Sequence, residues 1–149
     1  MLGAAPTAAE CFTVGYEGRR VDELLDSLAT AGVEQVIDVR ERAQSRKPGF
    51  SGKSLRAELS GAGISYKHIP ELGSPSHVRA TYRATGDFET FSECYRDHLR
   101  RQRAFLTLVL ELIAIRRTAL LCFERDSGAC HRSLICKELE SAGLSFTHL

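Results

Sequence analysis

Short apolar runs alternate with one-sided helical stripes along this chain, and glycine or proline punctuates most of the changes. Cys11 to Gly15 reads as a short buried strand. From Val21 to Ala31, the residues Val21, Leu24, Leu25 and Leu28 fall on one helical face, and Gly32 stops the pattern. Val33 to Val39 predicts a second strand. Arg40 to Gly52 carries Pro48, Gly49 and Gly52 and predicts a polar loop. Ser54 to Ala62 predicts a second helix, ended by Gly63, and Ile64 to Ile69 a third strand. Pro70 to Gly86, with Pro70, Gly73, Pro75 and Gly86, predicts a long loop. Asp87 is placed to N-cap a helical run reaching Arg117. A straight helix of roughly 30 residues would span about 45 Å, against a radius of gyration of about 15 Å for a domain of this size. A break is therefore expected near Arg100 to Arg103. Thr118 to Phe123 predicts a fourth strand, Ser133 to Ala142 a last helix and Leu144 to Leu149 a closing strand.

Strands that alternate with helices predict an α/β fold: a mostly parallel sheet of about five strands with helices on both faces, a three-layer Rossmann-like arrangement. One domain is expected from residue 11 to residue 149, preceded by a loose, Ala-rich tail from Met1 to Glu10. Leu59 to Ile69 and Leu139 to Leu149 echo each other as helix, Ala-Gly, strand. Any α/β chain reuses that local solution, so duplication is not required.

In such sheets ligands bind beyond the carboxyl ends of the strands. The ends predicted here are Gly15-Tyr16-Glu17-Gly18, Asp38-Val39-Arg40, His68-Ile69-Pro70-Glu71 and Cys122-Phe123-Glu124, the last followed by Cys130-His131-Arg132-Ser133. In a parallel sheet all four lie along one edge. Cys130-His131-Arg132-Ser133 sits where a helix begins, so backbone N–H groups and the helix dipole favour an anion there. Arg132 offers a bidentate clamp for phosphate or carboxylate, with Ser133 beside it. His131 can transfer a proton near neutral pH, and the same field would activate a thiol at Cys130. Asp38 and Arg40 point to one sheet face. Tyr16 can stack on a base or fill the core. Glu17 and Glu124 are candidates for acid–base work. His68 and His148 end similar strands, where local hydrogen bonds suit them better than metal.

Composition changes this picture little. The chain of 149 residues is 43% hydrophobic and 26% charged with a net charge of +1, which gives no global field toward nucleic acid or membrane. Local basic segments, Arg40 to Arg56 (with Arg42, Arg46, Lys47 and Lys53) and Arg96 to Arg103, keep phosphate binding open, and Arg46 joins the candidate ligand contacts. The cysteines at 11, 94, 122, 130 and 136 are odd in number and irregularly spaced, and no export signal is evident at the start. Free thiols in a reducing cytoplasm, and no membrane partner, are expected. A zinc set would need Cys122, Cys130, His131 and Cys136, whose spacing lacks the paired C-x-x-C of structural sites. No metal and no cofactor are therefore expected.

Gly15-Tyr16-Glu17-Gly18, Val36-Ile37-Asp38-Val39-Arg40, the Ser45-Arg46 to Phe50 loop, His68 to Gly73 and Leu120 to Ser133 together resemble the family catalogued as domain of unknown function 488. The resemblance spans nearly the whole chain in order. It implies a compact α/β domain and no established activity. More loosely, Ile37-Asp38-Val39-Arg40-Glu41 and His68-Ile69-Pro70, followed by Cys122 and Arg132-Ser133, resemble rhodanese-like sulfurtransferases and the related cysteine phosphatases. Nine residues separate Cys122 from Arg132, a longer loop than those enzymes use to cradle their anion.

Three functions fit this layout. In the first, the protein binds a phosphate-bearing ligand (a nucleotide or a nucleic-acid end) at the strand ends, clamped by Arg132 and Arg40, with Cys130, His131 and Glu124 as reactive groups. The second is cysteine-dependent sulfur or phosphoryl transfer. The third is a non-catalytic nucleic-acid-binding module using the basic segments.

Overall fold

The computed structural model describes residues 10–126 and 131–149. The predicted tail from Met1 to Ala9, and Cys130 with the three residues before it, lie outside the described residues. Glu10, assigned above to the tail, opens the first strand, where it pairs with Ser145.

Five strands form one parallel sheet: β1 (Glu10–Gly15), β2 (Gln35–Asp38), β3 (Ser65–His68), β4 (Thr118–Cys122) and β5 (Ser145–His148), in the order β3-β2-β4-β1-β5. Among the described residues six α-helices accompany them: α1 (Val21–Thr30), α2 (Gly52–Gly61), α3 (Ser76–Thr85), α4 (Phe88–Arg100), α5 (Arg103–Ile115) and α6 (His131–Glu140). The chain first moves toward one edge, β1 to β2 to β3, and then returns, β3 to β4 to β5. Right-handed crossovers put the connecting helices of these two journeys on opposite faces. The core records this. Leu24 and Leu28 of α1 and Leu55 and Leu59 of α2 pack with Phe12, Val14, Val36, Ala119 and Leu121. Residues of α3 to α6, among them Val78, Tyr95, Val109 and Ile135, pack with Cys11, Ile37, Leu120 and Cys122. Consecutive strand residues thus serve opposite layers, as a pleat requires.

Every residue of β2 and β4 is buried, whereas the edge strands β3 and β5 are half-exposed. The apolar runs of the inner strands made them legible. Asp87 caps α4 as expected, its carboxylate accepting from the N–H groups of Glu89 at 3.1 Å and Thr90 at 3.2 Å. The long helical run breaks at Arg101 and Gln102, between α4 and α5.

One expectation is corrected. Pro70 to Gly86 is not a loop: Pro70–Leu72 forms a 3-10 turn and Ser76–Thr85 forms α3. Pro75 stands directly before α3 and Gly86, at φ 68°, caps its end, so these residues bound a helix. Within α3 only Val78 is fully buried, with Tyr82 partly buried one turn on, so the apolar periodicity is faint. The helix is anchored instead by polar contacts, Ser76 Oγ donating to Glu41 Oε1 at 2.7 Å and Arg79 Nη2 to the same oxygen at 3.1 Å. Partial burial opposes the charge on Glu41, but these donors prevail and hold its carboxyl below the usual range.

At the opposite edge, His148 Nδ1 of β5 shares a hydrogen bond with the buried Thr13 hydroxyl of β1. Desolvation, then the nearby Arg132 charge, hold the imidazole below its ordinary value of 6.5. A group whose folded pKa is depressed takes up protons more readily in the unfolded chain. Its stabilising contribution is therefore present above the unfolded pKa and lost as pH falls through the folded value. Urea unfolding midpoints should drop as pH goes from about 8 to about 5, and His148→Asn should lessen that acid-side drop.

Candidate functional site

Neighbouring loops diverge where the chain reverses. After β1 and β2 the backbone turns toward the layer of α1 and α2; after β4 it turns toward α6. Such divergence opens a crevice at the carboxyl edge of a parallel sheet. A cavity of about 360 Å³ lies there, lined by residues that follow each of these strands: Tyr16, Arg40 to Arg42, Ser45, and Cys122 to Glu124, with His131 from α6 and Ser74 and Arg79 from the α3 side. A second cavity of about 370 Å³ shares Ser74, Arg79, Phe123, Glu124 and His131 with the first and adds Tyr82, Arg83 and Phe91.

The wall on the β2 side is built on a buried ion pair. Asp38 is fully buried, and its carboxylate accepts from Arg40 Nε at 2.8 Å and Nη2 at 2.6 Å, and from the Tyr66 hydroxyl at 2.6 Å. Arg40 Nη1 donates to the Tyr16 hydroxyl at 3.1 Å and to the Phe50 carbonyl at 2.8 Å. Burial disfavours the Arg40 charge, but the hydrogen bonds and attraction of Asp38 outweigh it and raise its pKa. Burial, then the Asp38 charge, push the Tyr66 phenol up as well, so it remains a donor. Tyr16 stacks on Phe50 at 4.5 Å and meets Phe123 edge-on at 5.4 Å. His68 Nε2 donates to the Arg40 carbonyl at 2.7 Å.

The opposite wall comes from β4 and α6. Cys122 is buried, with its Sγ 3.5 Å from Glu124 Oε2. His131 Nε2 donates to the Val39 carbonyl at 2.8 Å, and its ring meets Tyr95 edge-on at 5.4 Å. Arg132 retains 1% of its accessible surface. Its Nη1 donates to Thr13 Oγ1 at 3.0 Å and its Nη2 to the Glu124 carbonyl at 2.6 Å. Gly15 presses against that same carbonyl so closely that a Cβ there would lie 1.8 Å from the oxygen. Arg132 and Gly15 together fix where Glu124 sits.

The residues singled out from the sequence therefore divide. Tyr16, Arg40, Glu124 and His131 line the first cavity. Asp38 lies behind Arg40 and orients it. Arg132 lines neither cavity, and its guanidinium ties the strand-end loop to β1. Ser133 is half-buried on the first turn of α6 and Arg46 is exposed; neither lines a cavity. Glu17 is exposed, its Oε1 accepting from the Arg125 N–H at 3.1 Å. Cys130 lies outside the described residues. Arg100 and Arg101, in the second basic segment, pair with Asp97 on the exposed face of α4 and line neither cavity.

Among the lining residues that sequence reasoning missed, Arg79, Tyr82 and Arg83 escaped because α3 read as loop, while Phe123 was placed at a strand end but given no role. The i, i+4 spacing of Val78 and Tyr82 was the available signal for α3. Cys122, taken above as the start of the loop and a member of the zinc set, forms with Glu124 and His131 a group whose ligand-type atoms lie within 4.8 Å of one another. Cys136 is not part of it; it packs in the core beneath α6. The Cys11 thiol, pushed up to about 11 by burial and then by Glu10, belongs to the core as well.

A family model described as Domain of unknown function DUF488 matches residues 20–139, and the chain belongs to that family. The matched span takes in β2, β3, β4 and the wall residues from Asp38 to Arg132, while β1 and β5 fall outside it. No curated protein and no solved structure matches the chain. Among the described residues no helix is long and apolar enough to cross a membrane.

The Asp38–Arg40 pair can be tested by unbalancing it. Asp38→Asn leaves a buried guanidinium without its counter-charge and should lower unfolding stability by about 3–5 kcal/mol. Tyr66→Phe removes one hydrogen bond to the carboxylate and should cost about 1.5–3 kcal/mol. Urea denaturation of the two variants measures both, and equal losses would contradict this ordering.

Proposed function

Starting from membership of a family that carries a fold and no assigned activity, we propose that this protein binds a small anion-bearing ligand of nucleotide size in the two joined cavities. The observation that carries the reading is their common wall, in which Arg79 and Phe123 both line each cavity. Phe123 is 47% exposed, an unusual state for a large aromatic residue in a chain whose other strand-end aromatic, Tyr16, is buried. A flat apolar group would cover it, with Tyr82 and Phe91 behind. Arg42 and Arg79 face the first cavity and Arg83 the second. Being exposed or half-exposed, they are the cations available to a phosphate. Each cavity falls within the size range of small-molecule sites, about 300–1,000 Å³. Arg132 supports the site from behind, Arg40 lines it with its guanidinium committed to Asp38, and Glu124 and His131 face the bound anion as the groups able to move a proton.

A second reading, cysteine-dependent sulfur or phosphoryl transfer, is favoured by one observation: the Cys122 thiol lies against the Glu124 carboxylate beside His131 at the cavity wall. Cys130 enters that reading only through the sequence.

Calorimetric titration with a nucleoside, its monophosphate and inorganic phosphate tests the first reading. The monophosphate should bind most tightly. Arg79→Ala should weaken it about ten- to a hundredfold, and Phe123→Ala should weaken the nucleotide while sparing inorganic phosphate. If no member of the panel binds, or if neither substitution changes affinity, the reading fails.

A further inference from the structure

We propose that the cavity wall holds a zinc-class divalent cation, bound by Cys122 Sγ, a carboxylate oxygen of Glu124 and an imidazole nitrogen of His131. Among the described residues these three bring their ligand-type atoms within 4.8 Å of one another. The spacing suits such an ion. With metal–sulfur and metal–oxygen bonds of about 2.3 and 2.1 Å, two tetrahedral ligands stand about 3.6 Å apart. Cys122 Sγ and Glu124 Oε2 are 3.5 Å apart.

The donor set narrows the identity of the ion. Thiolate with imidazole selects zinc and its neighbours over magnesium or calcium, which take oxygen ligands. Charge agrees: a thiolate and a carboxylate carry two negative charges, which a dication neutralises at a partly buried wall.

The supporting contacts are those a metal histidine uses. His131 Nε2 donates to the Val39 carbonyl at 2.8 Å, which fixes the ring and assigns Nδ1 as the ligand nitrogen. Glu124 is held through its backbone carbonyl by Arg132 Nη2 at 2.6 Å and by the close approach of Gly15. Two ligands come from the end of β4 and one from the first residue of α6, so the ion would bridge strand and helix layers. All three residues line the first cavity. Three protein ligands at a cavity wall are the pattern of an exchangeable, reactive site, in contrast to a closed four-ligand structural one. The sequence alone predicts no metal, and the set that its spacing disfavours includes Cys136 but not Glu124.

The test is titration of the purified full chain with cobalt(II) and then zinc, with no anionic ligand present, so its outcome is independent of the anion-binding reading. A single equivalent of cobalt should produce a near-ultraviolet thiolate-to-cobalt band and the intense visible bands of a tetrahedral ion, both displaced by zinc. Cys122→Ser should abolish the near-ultraviolet band. Cys94→Ser, which removes an exposed thiol away from the cavity, should leave it intact. Glu124→Gln, at a half-exposed position that the fold tolerates, should weaken zinc binding at least about tenfold. Circular dichroism checks that each variant is folded. Absence of a thiolate band in the unmodified protein, a band that survives Cys122→Ser, or unchanged zinc affinity in Glu124→Gln would overturn the proposal.

Discussion

Asp38 has no water to face, so its charge must be met from within the protein, and the way it is met organises one whole side of the molecule. Three donor atoms reach its carboxylate from Arg40 and Tyr66 at 2.6–2.8 Å. Arg40 then has donors left for the Tyr16 hydroxyl and the Phe50 carbonyl. A buried carboxylate at the end of β2 thereby fixes the loop after β1, the loop after β2 and the outer face of β3 against one another. A pair so completely desolvated adds little net stability against an apolar alternative, but removal of either member leaves an uncompensated charge in the interior. Its value lies in positioning, because the aromatic and polar groups it locates form a cavity wall.

Arg132 plays a comparable part on the opposite side. Its guanidinium reaches the Thr13 hydroxyl and the Glu124 carbonyl, joining the start of α6 to β1 and to the strand-end loop. The protein thus uses the buried Arg40 and Arg132 to tie its loops together and leaves Arg42, Arg79 and Arg83 more exposed at the cavities. An arginine count near a strand end does not distinguish these roles. Burial does, since a guanidinium with 1% of its surface accessible has no face to offer a ligand.

The joined cavities depend on a change in the order of strand placement: the chain runs to one edge of the parallel sheet at β3 and then returns to its middle at β4. Because α1 and α2 cover one face and α3 to α6 the other, the backbones leaving β1, β2 and β4 part at the carboxyl edge. The space between them takes its chemistry from both layers: Tyr16 and Arg40 from one, Cys122, Glu124 and His131 from the other. Residues 92 positions apart in the chain, Val39 and His131, become hydrogen-bonded neighbours beside that space.

The sequence by itself determined the α/β class, the inner strands and the identity of the carboxyl edge, because these follow from local signals. The buried inner strands carry apolar runs, Val36-Ile37 in β2 and Ala119 to Cys122 in β4, and a capping aspartate such as Asp87 acts within three residues of itself. It also put Asp38 and Arg40 on one face by strand alternation; β2 ends at Asp38, and what joins the two is the buried ion pair just beyond the strand. What tertiary structure alone decided was the use of each charged group. Helix α3 was hidden because polar contacts to Glu41, thirty-five residues upstream, hold it in place of an apolar stripe. Arg132 became an internal tie because Thr13 stands across the sheet from it. Cys122, Glu124 and His131 converge because the end of β4 and the start of α6 pack against each other, and no spacing rule in one dimension encodes that meeting. Hydrophobic periodicity is a property of a segment, whereas a side chain's partners, and hence its charge, exposure and reactivity, are properties of the packed whole.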